Sequence, residues 1–362
     1  MNVVIAGGGT AGHVNPAIAV AGALTGSDVT FIGTAQGSEA RLVPASGRRL
    51  ETVDVRGFDR SRPWSIVPTG AVAARAVLSA RRLLGALKPD VVLGMGGYVS
   101  LPACIAARSL RIPVALHEQN IVLGLANRTC KPLARKVTVS FQDTLPKVGN
   151  KGVFTGNPVK REFIGVDMNA ARRRALDAFD LEGHRKTLLV FGGSQGAQTI
   201  NEAAAGLANL WGDSDDRQVL HITGRAHEEA IRERAGDAGG MPYRVLGYVT
   251  DMVAAYAVAD LALCRGGATT IAELGVMGVP AIIVPYPHHR DRQQEHHGHV
   301  LERAGAAVTV PDAGATTVEI ARIAERLLDD DERLGRMHKA SLDMGRPDAA
   351  DNVAAVLEEV AG

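Results

Sequence analysis

Two stretches of this chain, roughly 185 residues apart, share one plan. Residues 3–6, Val-Val-Ile-Ala, run into Gly7-Gly8-Gly9-Thr10-Ala11-Gly12-His13 and then a helical pattern. Residues 188–191, Leu-Leu-Val-Phe, run into Gly192-Gly193-Ser194-Gln195-Gly196-Ala197-Gln198 and a second helical pattern. A strand that is apolar on both faces must be covered on both faces, which a parallel sheet flanked by helices provides. Glycines at the following turn let the backbone bend sharply into a helix start, where free N–H groups and the helix dipole favour an anion. A chain that repeats this unit is expected to fold as two α/β, Rossmann-like, parallel-sheet domains, each opening on its own anion-binding turn. Its 362 residues suffice for two domains with separate cores.

The rest of the pattern agrees. Strands are expected at 2–6, 29–33, 91–94, 113–117, 187–191, 219–223, 243–246, 261–264 and 281–285. Helices are expected at 16–24, 72–87, 101–109, 200–210, 252–258, 270–277, 318–328 and 352–360. Turn residues cluster at Thr155-Gly156-Asn157-Pro158, so the expected domains are 1–156 and 157–346. Gly345-Arg346-Pro347-Asp348 breaks the last helical region, and the helix after it, about 347–362, is expected to return to the first domain.

Lys plus Arg number 40 and Asp plus Glu 39, so the strong basic excess of a nucleic-acid binder is missing. Cys104, Cys130 and Cys264 form no CxxC pair, which argues against a disulfide framework or a zinc site and fits a reducing cytosol. Met1-Asn2 leads directly into the first strand with no basic flank, unlike a targeting segment. No uncharged apolar run reaches the ~18–20 residues that span a bilayer, so membrane contact is expected to be peripheral. The charge is unevenly spread: residues 56–88 hold seven basic side chains against the single acid Asp59, with Trp64, Ile66 and other apolar residues among them. Such a stretch either packs its apolar side on the sheet or sits on an anionic membrane, with Trp64, Ile66, Arg75, Arg81 and Arg82 as the facing candidates.

Several loops carry chemistry. Gly7-x-Gly9-x-x-Gly12 matches the dinucleotide fingerprint, but the second strand ends Phe31-Ile32-Gly33-Thr34 with no carboxylate for a nicotinamide-nucleotide ribose. Neither glycine turn runs into the Gly-Lys-Ser/Thr of a P-loop. His13, at a helix start that disfavours imidazolium, is either a neutral proton acceptor or a plain cap. The Gly192–Gly196 turn suits a diphosphate or is a simple tight turn. In Arg265-Gly266-Gly267-Ala268-Thr269-Thr270-Ile271-Ala272-Glu273 the Glu suits a ribose diol or is an ordinary first-turn acid. The histidines His288, His289, His296, His297 and His299 tempt a metal reading, but no Cys or carboxylate is spaced with them as in a zinc site. The D-x-D at Asp213–Asp215 falls in a polar loop and reads as solvated. Asp90-Val-Val-Leu-Gly-Met-Gly-Gly-Tyr98 and His117-Glu118-Gln119-Asn120 end two more strands, so many polar loops converge on one sheet edge.

Gly-Gly-Gly-Thr-Ala-Gly-His, Val-Leu-Gly-Met-Gly-Gly-Tyr-Val-Ser, His-Glu-Gln-Asn, Gly-Asn-Pro-Val, Gly-Gly-Ser-Gln-Gly-Ala and Asp-Arg-Gln-Gln occur in this order. Together they resemble, over essentially the whole chain, the MurG family of N-acetylglucosaminyltransferases. The resemblance implies a GT-B fold, two Rossmann-like domains facing across a cleft, with the donor on the C-terminal domain and the lipid acceptor on the N-terminal one. It implies inverting transfer of N-acetylglucosamine from UDP-N-acetylglucosamine to the 4-hydroxyl of undecaprenyl-diphospho-muramoyl-pentapeptide. That is the last cytoplasmic step of lipid II synthesis, serving peptidoglycan, cell shape and division. It also implies a peripheral protein on the cytoplasmic face of the plasma membrane, with no tightly bound cofactor and no obligatory metal. Cell-wall and division proteins are candidate partners, and nucleic acid is not.

By motif, Thr10, Ala11, Gly12 and Asn120 fall on the donor-sugar side and His13 on the candidate general base. Glu118 stands as either a catalytic or a structural carboxylate. Ser194, with Gln195 and Gly196, matches the diphosphate turn, and Val249 the residue whose backbone reads uracil. Ala268, Thr269, Thr270, Ile271 and Ala272 match the nucleotide segment, with Glu273 on the ribose and Gln293 and Gln294 on the donor sugar. Three positions depart from the family pattern: Lys160, followed by Arg161, replaces the common Arg; Gly266 replaces Ser or Ala; and Asn15 follows His-Val. Lys lacks the planar fork of Arg, so either the nucleotide contact differs or Arg161 substitutes. The rival readings are a UDP-N-acetylglucosamine epimerase, a GT-B transferase with another acceptor, and a non-catalytic nucleotide-sugar binder.

Overall fold

The computed structural model describes residues 1–53, 66–193, 195–236 and 239–362, with side chains from 74 onward in the helix that starts at Ile66. Trp64, Ser194 and the side chain of Ile66 lie outside the described residues, as does the basic segment from Arg56 to Arg62. The chain divides into two compact units, Met1–Arg161 with Arg346–Gly362, and Glu162–Gly345.

The first unit is a parallel sheet of β1 (Asn2–Ala6), β2 (Asp28–Gly33), β3 (Arg49–Thr52), β4 (Val91–Gly94), β5 (Val114–Glu118), β6 (Lys136–Val139) and β7 (Gly152–Phe154), in the order β3-β2-β1-β4-β5-β6-β7. Its register is set by Val3 lying opposite both Val29 and Val91. Successive side chains of β1 alternate faces. Val3 and Ile5 enter a core with Val20, Phe31, Leu93 and the C-terminal helix Ala349–Ala361. Val4 and Ala6 enter the opposite core with Leu84, Ala103 and Leu116. The C-terminal helix buries Val353, Leu357 and Val360, a helical spacing, against the first helix, Ala11–Ala23. Arg135 donates to the Val360 carbonyl (2.8 Å) and Lys136 pairs with Glu359 (2.9 Å), fixing that helix to β6.

The second unit holds β8 (Lys186–Phe191), β9 (Arg217–Ile222), β10 (Tyr243–Leu246), β11 (Leu261–Cys264), β12 (Ala281–Ile283) and β13 (Ala307–Thr309), all parallel, in the order β10-β9-β8-β11-β12-β13. In each unit the order reverses beside the first strand. The carboxyl ends of β1 and β4, and of β8 and β11, therefore flank the switch point where doubly wound sheets bind ligands.

Four strands go beyond the sequence expectation: β3, β6, β7 and β13. Three of them are sheet edges, and the fourth neighbours one. The edge strand β3 reads Arg-Leu-Glu-Thr with no buried residue, so it carries little hydrophobic signal. The first helix begins at Ala11, not at Pro16, so Pro16 lies inside it and His13 sits on its first turn. Contacts carry the first unit to Arg161 rather than Gly156. Asn157 and Val159 are buried, and a Cβ on Gly156 would lie 2.5 Å from Arg346 Cβ.

Candidate active site

At the edge formed by β1, β4 and β5, the first helix starts without a side-chain cap: Thr10 is the N-cap residue and makes no cap hydrogen bond. Thr10 and Gly12 are exposed, and Ala11 and His13 half-buried. The imidazole of His13 is held from one side. Gln119, buried at the end of β5, donates through Nε2 to the Met95 carbonyl (2.9 Å) and turns its Oε1 to His13 Nδ1 (3.1 Å). An amide oxygen can only accept, so Nδ1 carries a proton, and in the neutral ring the lone pair is left on Nε2. Gly96 and Gly97 make room for this ring. Both have positive φ, and a Cβ on Gly96 would lie 3.4 Å from His13 Cε1. Gly97 approaches the Gly8 carbonyl so closely that a Cβ would sit 2.7 Å from it.

Glu118 is buried and its carboxylate is committed. Oε1 accepts from Asn120 N (3.0 Å) and Asn120 Nδ2 (3.2 Å), and Oε2 from Gly124 N (2.9 Å) and Asn127 Nδ2 (2.9 Å). It staples the loop that carries Asn120. His117, fully buried, bonds Thr138 through Nδ1 (2.8 Å), and burial pushes its pKa down to about 4.

Two contributors to this edge have no role assigned from the sequence. One is Gln119. The other is Glu39, whose carboxylate reaches the end of β2, where the sequence shows no acid. It accepts from Thr34 N (2.9 Å), Thr34 Oγ1 (2.8 Å) and Gly9 N (2.8 Å). Burial opposes its ionisation, but these hydrogen bonds prevail and hold the pKa below the ordinary value. The acid anchors the glycine turn to β2. Its distance in sequence from the strand end, and its position inside the short helix Glu39–Ala45, hid it.

At the edge formed by β8, β11 and β12, Gly196 donates to the Gly193 carbonyl (2.9 Å), closing a tight turn with Gln195 exposed. Gly196 has φ +76°, and a Cβ there would lie 2.0 Å from the Thr223 carbonyl oxygen, so only glycine fits. The helix Ala268–Met277 also starts without a side-chain cap, at Gly267. It brings Ala268, Thr269, Thr270, Ile271, Ala272 and Glu273 to the end of β11, with Ile271 buried. Thr269 Oγ1 and Gln293 Oε1 are buried polar atoms with no protein partner, which a bound polar ligand would explain. Gln294 Oε1 accepts from Tyr286 N (3.0 Å), which orients the loop after β12. Val249 is buried after β10, just before the Asp251-capped helix Met252–Val258. Glu273 Oε2 accepts from Tyr256 Oη (2.9 Å). Lys160 is half-buried and Arg161 exposed.

Other candidates lie elsewhere. Arg75, Arg81 and Arg82 are exposed on the helix Ile66–Leu87, and Arg81 bonds Ser109. Leu78 on the same helix is 56% exposed. His297 is buried and bonded to the Gly266 carbonyl (2.8 Å), with its pKa pushed down to about 4 by burial. Among the described residues no group of three His, Cys, Asp or Glu side chains is arranged to hold a metal ion.

Comparison with known proteins matches this arrangement to a family. The glycosyltransferase family 28 N-terminal domain matches residues 3–139, and the family 28 C-terminal domain residues 187–353. A UDP-N-acetylglucosamine–N-acetylmuramyl-(pentapeptide) pyrophosphoryl-undecaprenol N-acetylglucosamine transferase of Acidithiobacillus ferrooxidans is 42% identical over 365 residues, spanning 100% of this chain and 98% of the relative. The crystal structure of Acinetobacter baumannii MurG superposes with a TM-score of 0.79 at 29% identity, covering 99% of both chains. The chain belongs to the MurG family. Its fold is GT-B, and its class that of N-acetylglucosaminyltransferases. A UDP-GlcNAc 2-epimerase from Neisseria meningitidis, bound to UDP-GlcNAc, also superposes (TM-score 0.71, 99% and 100% covered), but at 16% identity it shares the fold alone. For a MurG-family chain, the two uncapped helix starts and the His13–Gln119 pair are the features to explain.

Proposed function

We propose that this protein transfers N-acetylglucosamine from UDP-N-acetylglucosamine, with inversion, to the 4-hydroxyl of a lipid-linked muramoyl-pentapeptide. The observation that carries the reading is full-length kinship with transferases of that name, at 42% identity to the Acidithiobacillus ferrooxidans relative. His13 serves as general base: with Nδ1–H held by Gln119, Nε2 accepts the proton of the attacking hydroxyl as its oxygen bonds the anomeric carbon. Thr10, Ala11, Gly12 and Asn120 contact the donor sugar, and Glu118 acts as a structural staple rather than an acid. On the second unit, the turn with Ser194, Gln195 and Gly196 and the uncapped helix start at Ala268 stabilise the departing diphosphate. Glu273 accepts from the ribose diol, Val249 meets uracil through its backbone, and Gln293 and Gln294 hold the sugar. Lys160 or Arg161 supplies a cation to the nucleotide.

The acceptor is a lipid, and the reading includes peripheral docking on the cytoplasmic membrane face. No helix among the described residues is long and apolar enough to cross a membrane. Support for docking comes from Leu78, exposed one helical turn from Arg75 and Arg82, and from exposed Ile105 and Leu125 on neighbouring helices of the first unit.

The test is UDP release from UDP-N-acetylglucosamine with and without a short-chain muramoyl-pentapeptide lipid, in buffer with and without a chelator. Release that needs the lipid, yields a disaccharide lipid and survives the chelator is expected. Donor conversion without the lipid would replace this reading with an epimerase or another acceptor.

A further inference from the structure

Tyr256 belongs to none of the motifs above, yet it touches two of the segments they form. It lies in the helix Met252–Val258 and is fully buried. A buried phenol is costly unless its hydroxyl finds a partner. This one donates to Glu273 Oε2 at 2.9 Å. Burial, and then the charge of Glu273, hold the phenol protonated, so it stays a donor. The same ring meets Phe191 edge-on, with centroids 5.7 Å apart and planes at 82°. Phe191 is the last residue of β8, directly before the Gly192–Gly196 turn. Phe163, at the start of the second unit, packs on another part of the ring at 6.0 Å. One rigid side chain thus ties the end of the diphosphate strand to the carboxylate on the next helix.

We propose that Tyr256 is a positioning residue for nucleotide binding, holding the Glu273 carboxylate in the orientation that receives the ribose diol, in register with the diphosphate turn. The proposal rests on the reading of Glu273 as the ribose contact. A carboxylate clamped by a buried donor loses its rotamer freedom on folding, so that loss does not weaken binding. Tyr256→Phe keeps the ring and its packing and removes only the clamp.

The experiment is calorimetric binding of UDP and of 2′,3′-dideoxy-UDP to the wild type, Tyr256→Phe, Glu273→Gln and the double variant, with steady-state turnover alongside. Tyr256→Phe is expected to weaken UDP by about tenfold and dideoxy-UDP by less than about twofold. The donor KM should rise while kcat holds, and the double variant should bind UDP no worse than Glu273→Gln alone. Equal weakening of both nucleotides would make Tyr256 a fold residue only and overturn the proposal, as would unchanged UDP binding. If the wild type itself binds both nucleotides equally, the ribose reading of Glu273 fails, and Tyr256 has nothing to position.

Discussion

The His13–Gln119 pair makes a sharp prediction. Gln119→Leu keeps roughly the side-chain volume and removes two hydrogen bonds, from Gln119 Nε2 to Met95 O (2.9 Å) and the contact of Oε1 with His13 Nδ1 (3.1 Å). The Met95 carbonyl then loses a buried partner, at a cost of about 1–3 kcal/mol. For a unit of this size that lowers Tm by several degrees, at about 2–4 °C per kcal/mol. The imidazole also loses what fixes its tautomer and plane. Releasing one buried hydrogen bond and the order it imposes should cost the chemical step about 1–2 kcal/mol, or roughly 5–30-fold in kcat. His13→Ala should cost about 10²–10⁴-fold, the range of a positioned general base. The assay is steady-state UDP release at saturating lipid acceptor, with the donor KM expected to stay within about twofold because Gln119 acts on His13 and not on the nucleotide. The double variant decides the matter. If Gln119 works only through His13, adding Gln119→Leu to His13→Ala slows transfer no further. Wild-type kcat in a folded Gln119→Leu protein, or full additivity in the double variant, would refute the tautomer argument.

Three other outcomes follow from the geometry. His117, His221 and His297 are buried and neutral, with pKa values pushed down to about 4, 3 and 4, so the unfolded chain binds their protons first as pH falls below about 6.5. Stability is therefore full above pH 6.5 and falls by about 2 kcal/mol per histidine by pH 5, and melts from pH 7.5 to 5 should show a slope that His297→Gln flattens; a pH-independent Tm would contradict this. Gly196→Ala forces a Cβ to 2.0 Å from the Thr223 carbonyl at φ +76°, so calorimetry should find UDP binding lost, and unchanged affinity would remove the turn from the site. Arg75→Ala with Arg82→Ala should weaken sedimentation with anionic vesicles by about 30-fold, at about 1 kcal/mol per cation, while transfer to a water-soluble acceptor stays unchanged; undiminished vesicle binding would move the docking surface elsewhere.

The central strands were legible because they are buried on both faces: β1, β4 and β11 fall where the apolar runs put them, residue for residue. Of the edge strands only β10 was legible; β3, β7 and β13 were not, because an edge is half-solvated and reads like a loop. The glycine turns and the segment 268–273 were legible for the same local reason: a chain that turns from a strand into a helix start within a few residues needs glycine where φ is positive or backbones touch. Local sequence thus determined the fold class, the order of the elements and the loops that meet at the sheet edges. It did not determine which polar side chains stand behind those loops. Glu39 reaches back to Thr34 and Gly9, Gln119 crosses from β5 to His13, and Tyr256 meets Glu273 from another helix. Those pairings depend on which strands become neighbours. Hydrophobic periodicity records the face a residue turns inward, but the partner of a buried polar group is chosen only when the packed chain leaves it one donor or acceptor within reach.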